Sequence, residues 1–486
     1  MFFGYLSKNK ISPQSISVIY KNETLSYSEL KNRINGYAAY YKSTGIKPGD
    51  NAAVLSENSL EFVITIFSLW QIGAVPVLLN TRLLPKEIFE LTDFTGCNNL
   101  ISNLPLGNKT DVKIKIVRFP QGKFSLGVED FHEREIKLEE TAVIIFTSGS
   151  TGKPKGVMIS FKNLIESASA GDAVFKHTGG ERWLAALPFY HVGGFSIITR
   201  TILYGAALII PESLNIEDIA TELNKNRPTL TSFVSTQLKR LIELGIKPNA
   251  EFKHVLLGGG FLDADLVDEA IGKGWNVSKS YGATETCSLV TALTREEFRE
   301  KKESAGKALY PNRILIVDDL HEPLGVNCTG EVAVKGRSVA GGYINNPAET
   351  ARKFNGDVYY TGDFGRLDEH GYLFIEARRN DLIITGGENV NPYEVEVEIF
   401  KHPLIKDAAV FGLKDEEWGH IVAAGVVPFG DKEISLADLK AFLRDKLPGY
   451  KIPKKLFILS ELPKTELGKV QKEKLKSLIL NKQADR

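Results

Sequence analysis

Short apolar runs alternate with helix-length stretches over residues 1–140, and this alternation constrains the fold more than any other feature. Ala52-Ala53-Val54-Leu55 reads as a strand, Leu60 to Trp70 as a helix, and Val75 to Leu79 as a second strand. Pro85 to Thr92 continues as helix and Leu100-Ile101 as strand. Such a sequence predicts a mostly parallel sheet covered by helices. The pattern resumes after Phe146, with strands at Val255-Leu256-Leu257 and Asn276 to Ser280 around a helix from Asp263 to Gly272. From Arg313 onward it changes to short strands with Gly-rich turns, Ile314 to Val317 and Glu331 to Val334, which predicts a small β subdomain. Towards the C-terminus, strands at Ala408 to Phe411 and Val422 to Val427 mix with helices at Leu436 to Lys446 and Lys472 to Leu480. The expected class is therefore α/β. A large N-terminal domain, residues 1–378, carries parallel-type sheets and the β subdomain, and a small α+β domain occupies residues 379–486.

A chain of 486 residues has room for several domains, since one domain takes roughly 150. Its 43% hydrophobic and 25% charged residues are those of a soluble globular protein, which excludes a disordered or fibrous chain. Lys plus Arg number 60, as do Asp plus Glu, so there is no overall basic field to gather DNA or RNA. The apolar stretch Phe62 to Leu79 is interrupted by Thr65, Ser68, Gln71, Gly73 and Pro76, so it reads as a buried helix and strand, with no membrane span. The N-terminus lacks the pattern of a secretory leader. Cys97, Cys287 and Cys328 are too few and too scattered for a disulfide framework or a zinc site, so a reducing, cytoplasmic compartment is expected. Homo-oligomerisation is left open.

The apolar strand Val143-Ile144-Ile145-Phe146 runs into Thr147-Ser148-Gly149-Ser150-Thr151-Gly152-Lys153-Pro154-Lys155-Gly156. Three glycines let the backbone turn tightly and aim N–H groups at an anion, while four hydroxyls and two lysines add donors and positive charge. The chemistry is that of a phosphate cradle. It is not a Walker loop: counted from Gly149, the Gly-Lys-[Ser/Thr] positions hold Pro154-Lys155-Gly156.

This string closely resembles the signature loop of the adenylate-forming superfamily, which includes acyl- and aryl-CoA ligases, peptide-synthetase adenylation domains and luciferases. The resemblance implies that Thr147, Ser148, Gly149, Ser150, Thr151, Gly152, Lys153 and Lys155 hold ATP phosphates. Further matching elements follow in the family's order. Tyr281-Gly282-Ala283-Thr284-Glu285 implies adenine stacking by Tyr281, an α-phosphate contact by Thr284 and Mg²⁺ on Glu285. A flat ring suits a purine, and a carboxylate is the ligand Mg²⁺ takes beside phosphates. Gly258-Gly259-Gly260 resembles the segment passing the adenine; a tight strand-to-helix turn is the other reading of those glycines. Asp363, in Tyr360-Thr361-Gly362-Asp363, and Arg378 are implied ribose contacts. A carboxylate accepts both hydrogen bonds of a cis-diol.

The family's small C-terminal domain is mobile and swings between two half-reactions. Asn380 occupies the hinge position, where Asp or Lys is usual, and Gly386, Gly387 and Glu388 resemble the loop lining the CoA tunnel. Pro463-Lys464-Thr465-Glu466-Leu467-Gly468-Lys469 matches the tail whose last Lys, Lys469, enters the active site for adenylation. Pro188-Phe189-Tyr190-His191 resembles the motif gating the acid site, with His191 as the gate. The implied co-substrates and metal are ATP, CoA and Mg²⁺.

Within the superfamily, Glu181 to Ser196 and Ser280 to Ser288 look most like the o-succinylbenzoate–CoA ligases of menaquinone biosynthesis, with Ala283 in place of the usual Met. The implied acid pocket comprises His191, Gly194, Ser196, Arg200, Gly258, Gly282, Ala283 and Ser288. Thr286-Cys287-Ser288 suits an acid with a second carboxylate. Arg200 is either its counter-charge or a structural Arg, which helix phase decides. Another aryl- or medium-chain acyl-CoA synthetase is the nearest alternative, and a nucleotide-binding regulator without catalysis the alternative from another class.

Overall fold

Each apolar run of the N-terminal region lies on a regular element of the computed structural model. The structure describes residues 11–105, 114–120, 134–147, 154–178, 180–259, 264–378, 383–385, 388–415, 418–430, 432–465, 468 and 470–484. The chain divides into two compact units. One comprises Met1–Gly258, Leu262–Ile314 and Val334–Tyr360; the other comprises Gly259–Phe261, Leu315–Ala333 and Thr361–Arg486.

In the first unit a six-stranded sheet runs in the order Lys115–Val117, Asn99–Ile101, Asn51–Leu55, Val75–Leu79, Thr141–Thr147, Lys155–Ser160. All neighbours are parallel except the last pair. The connecting helix Leu60–Ile72 is buried along its whole length apart from Glu61, which explains its almost unbroken apolar sequence. Ser59 caps its first turn through Phe62 N (3.1 Å), and Gly73 ends it at φ 89°. Three of the polar groups it buries are paired: Ser68 Oγ donates to Ile64 O at 2.7 Å, Trp70 Nε1 donates to Ala142 O at 2.6 Å, and Thr65 Oγ1 lies 2.7 Å from the Tyr41 hydroxyl. Each fully buried Leu, Ile or Phe here contributes about 1.5–3 kcal/mol. Pro76 is tolerated in an inner strand because pairing with Thr141–Thr147 starts only at Val77.

A nine-stranded sheet runs Lys307–Ala308, Ser288–Leu293, Val277–Ala283, His254–Leu257, Leu230–Phe233, Arg182–Leu184, Ala207–Ile210, Ile16–Tyr20, Glu23–Ser26. Its middle strands are parallel, and the pairings at its two edges are antiparallel. The residues singled out at Thr147, Gly258 and Tyr281 thus sit at the carboxyl ends of parallel strands, where open α/β sheets place ligands.

The β subdomain expected from Arg313 is a five-stranded sheet of Arg313–Val317, Gly330–Lys335, Val358–Leu367 and Phe354–Asn355, with Leu373–Arg378 paired to Val358–Leu367. The second unit carries a further sheet, Glu388–Val390, Ile383–Thr385, Gly419–Pro428, Ile405–Asp415, with Lys455–Ile458 on Gly419–Pro428. Val410 and Val422 pack with Val395, Ile399 and Leu439 on one face, while Phe411 and Ala423 pack with Leu475 and Ile479 on the other. Burial on both faces is why these strands read as continuous apolar runs.

Candidate functional site

Thr147 faces Lys155 across an antiparallel hairpin, with Phe146 opposite Gly156. The glycine-rich string therefore joins two paired strands, where a Walker loop would join strand to helix. Ser148, Gly149, Ser150, Thr151, Gly152 and Lys153 lie outside the described residues. Lys155 is buried, ion-paired with Glu349, and its ammonium sits 5.5 Å from the Tyr343 ring centre. Glu349 also accepts from Arg352 Nε and Nη2 at 2.8 and 2.6 Å, and Arg352, then Lys155, draws its carboxyl down to about 2. A protein carboxylate thus compensates the Lys155 charge.

Residues 340–344 run beside the distal strand of this hairpin. Met158 N donates to Gly342 O (3.0 Å), Gly341 N to Met158 O (3.2 Å) and Ile344 N to Gly156 O (2.9 Å). The same segment holds Glu285 twice, through Ala340 N to its carbonyl and through the Tyr343 hydroxyl to Oε1, both at 2.8 Å. Tyr343 escaped the sequence reading; its only local signal is the Gly341-Gly342-Tyr343 run ahead of the helix start Asn346-Pro347.

The strand Val277–Ala283 runs past its expected end at Ser280 and carries Tyr281, with a register shift between Tyr281 and Gly282. Gly282 is required there, because a Cβ would stand 1.7 Å from the Ser288 carbonyl oxygen. Thr284, Glu285 and Thr286 form one 3-10 turn. Thr286 Oγ1 accepts from Ala283 N at 2.9 Å and lies 3.1 Å from the carbonyl of that residue, locking the turn. Cys287 and Ser288 follow at φ 55° and 90°, left-handed conformations whose strain gathers at functional sites. Glu285 is 6% exposed, so it is no solvated loop carboxylate. Among the described residues no cluster of three or more His, Cys, Asp or Glu could hold a metal ion. One buried carboxylate beside the strand Lys155–Ser160 fits Mg²⁺ carried by a nucleotide, which keeps most of its ligands from phosphate and water.

His191 is the N-cap residue of the helix Val192–Tyr204, and its ring stands edge-on to Tyr190 at 4.8 Å. Gly194 is forced by close packing, since a Cβ would lie 2.1 Å from Pro188 O. One face of this helix brings together the expected pocket residues Ser196 and Arg200, four positions apart. Ser196 Oγ lies 2.9 Å from Gly193 O and 3.5 Å from Ser288 Oγ. Gly258 abuts Ser280, whose hydroxyl a Cβ would meet at 2.5 Å. Ala283 lies half-buried at the end of its strand.

Arg200 is 1% exposed, and Nε, Nη1 and Nη2 have no hydrogen-bond partner among the described residues. Its guanidinium packs over Phe175 and Trp183 at 5.7 and 5.9 Å. Burial pulls it down to about 10, still cationic at neutral pH, and the titratable groups acting on it, Cys287 and Tyr204, are not carboxylates. A buried cation without a hydrogen-bond partner among the described residues is a costly arrangement for a fold to hold.

Beside it His177 stacks on Tyr204 (3.9 Å, 6°), and its Nδ1 is 2.8 Å from Asp172 Oδ1. Burial holds the His177 imidazole below its usual 6.5, against the opposing pull of Asp172 and Glu181 and aided by Arg200. His254 and His402 are lowered by burial too. A depressed imidazole binds fewer protons folded than unfolded, so its stabilisation is full above about 6.5 and drains as pH falls. The melting temperature is therefore expected to drop between pH 7.5 and 5.5, and less so in His177→Phe. A drop of equal size in that variant would remove His177 from the titration. Glu181 and Glu349, held at about 2, lose their contributions only in more acid solution.

In the second unit Asp363 and Arg378 are register partners across the strands Val358–Leu367 and Leu373–Arg378. Asp363 is buried, and its N donates to Thr361 Oγ1 at 3.0 Å. Gly259 adopts φ 87°. Glu388 opens the strand Glu388–Val390, opposite Thr385. The tail motif is cinched by Gly468 N to Thr465 O (2.9 Å), Gln471 N to Pro463 O (2.8 Å) and a bridge between Lys464 and Val470. Gly260, Asn380, Gly386, Gly387 and Lys469 lie outside the described residues.

Residues 7–344 match the profile of the AMP-binding enzyme family, and residues 394–469 that of the AMP-binding enzyme C-terminal domain. The chain is 33% identical over 477 residues to 2-succinylbenzoate–CoA ligase of Bacillus subtilis strain 168, covering 97% of this chain and 96% of that one. It is 34% identical over 480 residues to the same-named enzyme of Geobacillus sp. strain WCH70, with coverages of 97% and 96%. It superposes on the Bacillus subtilis o-succinylbenzoate CoA synthetase MenE bound to the acyl-adenylate OSB-AMP with a TM-score of 0.89, at 31% identity over 98% of this chain and 97% of that one. ATP-bound MatB of Rhodopseudomonas palustris gives 0.90, at 28% identity and 98% of both chains. Matching profiles and relatives aligned along nearly the whole length agree: the chain belongs to the AMP-binding enzyme family.

Proposed function

We propose that the chain is an AMP-forming acid–CoA ligase that converts 2-succinylbenzoate into 2-succinylbenzoyl-CoA in menaquinone biosynthesis. Likeness over 97% of the chain to enzymes named for that activity carries this reading. Arg200 supports the choice of acid, because its unpartnered guanidinium is a buried counter-charge awaiting a carboxylate beside Ser196 and Ser288.

In the first half-reaction a carboxylate oxygen of the acid bonds to the α-phosphorus of ATP and the bond to pyrophosphate breaks. Two anions must meet, so the chain's task is to orient and to screen rather than to supply a nucleophile. Thr147 to Lys153 cradle the phosphates, Thr284 donates to the α-phosphate, and Tyr281 with Gly259 and Gly260 lines the adenine. Asp363 and Arg378 take the ribose hydroxyls, and His191 gates the acid. Glu285 would hold Mg²⁺, which supplies positive charge to the phosphates when bound. Lys469 adds the remaining screening. In the second half-reaction the domain beginning at residue 379 swings about Asn380 and brings Gly386, Gly387 and Glu388 to line the CoA tunnel. The thiol then forms the C–S bond and AMP leaves. Free Cys97, Cys287 and Cys328 support a cytoplasmic placement.

CoA- and ATP-dependent AMP formation tests the reading across 2-succinylbenzoate, benzoate, 4-hydroxybenzoate and a medium-chain fatty acid. A preference for 2-succinylbenzoate of about two decades in kcat/KM is expected, roughly 2.7 kcal/mol of discrimination. Preference for another acid would keep the chemistry and discard the pathway; no AMP from any acid would overturn the ligase.

A further inference from the structure

We propose that Tyr343 is a positioning residue for the metal-binding carboxylate: its hydroxyl fixes one oxygen of Glu285 so that the carboxylate presents its other oxygen to the Mg²⁺ of a bound nucleotide. The inference rests on the reading of Glu285 as the metal ligand and adds to it a residue that no motif assigned. Tyr343 is 3% exposed and donates to Glu285 Oε1 at 2.8 Å, the two side chains being drawn from segments 58 residues apart.

The ring is itself clamped. Phe354 meets it edge-on at 5.3 Å, and the Lys155 ammonium lies 5.5 Å from its centre. Its backbone N donates to Thr350 Oγ1 at 3.0 Å, and its backbone bridges Val157 on the hairpin that ends the glycine-rich string. One residue therefore ties the hairpin, through its backbone, to the metal carboxylate, through its hydroxyl. A carboxylate with both oxygens unconstrained can rotate between one- and two-oxygen ligation; pinning one oxygen removes that freedom before the metal arrives. Outer partners of this kind commonly govern metal affinity.

Tyr343→Phe deletes a single oxygen and keeps the clamped ring. Binding of Mn²⁺–ATP without acid, measured calorimetrically, is expected to weaken about tenfold or more, while metal-free AMP binding stays within about twofold. The Mg²⁺ concentration for half-maximal adenylation should rise in parallel. Glu285→Gln is measured alongside. If it weakens Mn²⁺–ATP and Tyr343→Phe does not, the positioning role is overturned while Glu285 stands. If neither variant weakens it, Glu285 falls as the ligand and Tyr343 with it. A second readout needs no destabilising change. With 3-fluorotyrosine at position 343, the fluorine resonance should move when Mg²⁺ is added to the ATP complex, and an unmoved resonance would overturn the proposal even if the Phe variant failed to fold.

Discussion

Lys469→Ala is expected to lose about two to three decades in the rate of adenylation, the roughly 3–4 kcal/mol that one charge-stabilising donor supplies to a developing transition state. The reason is electrostatic. A carboxylate approaches a polyphosphate, and every positive charge withdrawn from the meeting point leaves repulsion between the two anions. The same variant should turn preformed acyl-adenylate into acyl-CoA at nearly the parent rate, because thiol attack forms after the tail has swung away. Single-turnover measurement of the two half-reactions separates them. Equal loss in both would mean that Lys469 serves the fold of the tail, whose cinch at Thr465, Gly468 and Gln471 brackets it, and not the chemistry.

Arg200→Met should have the second largest effect, and an unusual pair of signs. For 2-succinylbenzoate, kcat/KM is expected to fall by about two decades or more, mostly through KM, since truncating one partner of a buried charge pair costs about 2–5 kcal/mol. Benzoate, with no second carboxylate, should be processed much as by the parent. Meanwhile the melting temperature should hold or rise. The free protein buries a cation whose three nitrogens have no hydrogen-bond partner among the described residues, and an apolar side chain of similar volume in such a place is often neutral or stabilising by about 1–4 kcal/mol. A KM for 2-succinylbenzoate unchanged in Arg200→Ala would remove the residue from the pocket. A collapse in stability would make it structural.

The alternation of Ala52 to Leu55, Leu60 to Trp70 and Val75 to Leu79 was legible because short apolar runs of strand and helix length are local properties, and each run is buried almost throughout. Boundaries were less legible. Val277–Ala283 outran its expected end because Gly282 lets the strand continue against the Ser288 carbonyl, a close approach that no local pattern announces. The string from Thr147 to Gly156 was legible as a phosphate cradle from residue type and spacing, whereas the Tyr281 to Glu285 element and Asp363 were singled out by their resemblance to the superfamily's motifs. Lys155 was read by its charge as a phosphate ligand, and the structure pairs that charge with Glu349, 194 residues away.

What the sequence determined by itself is the fold class and the family's chemistry, since both are written in short runs whose meaning depends on neighbours a few residues away. Tertiary structure alone decided that Arg200 faces inward beside Ser196, that Tyr343 holds Glu285, and that Lys155 is already paired. Each of these depends on helix phase or on strand register across tens to hundreds of residues. Such contacts are set only when the sheets close and bury the side chains against one another.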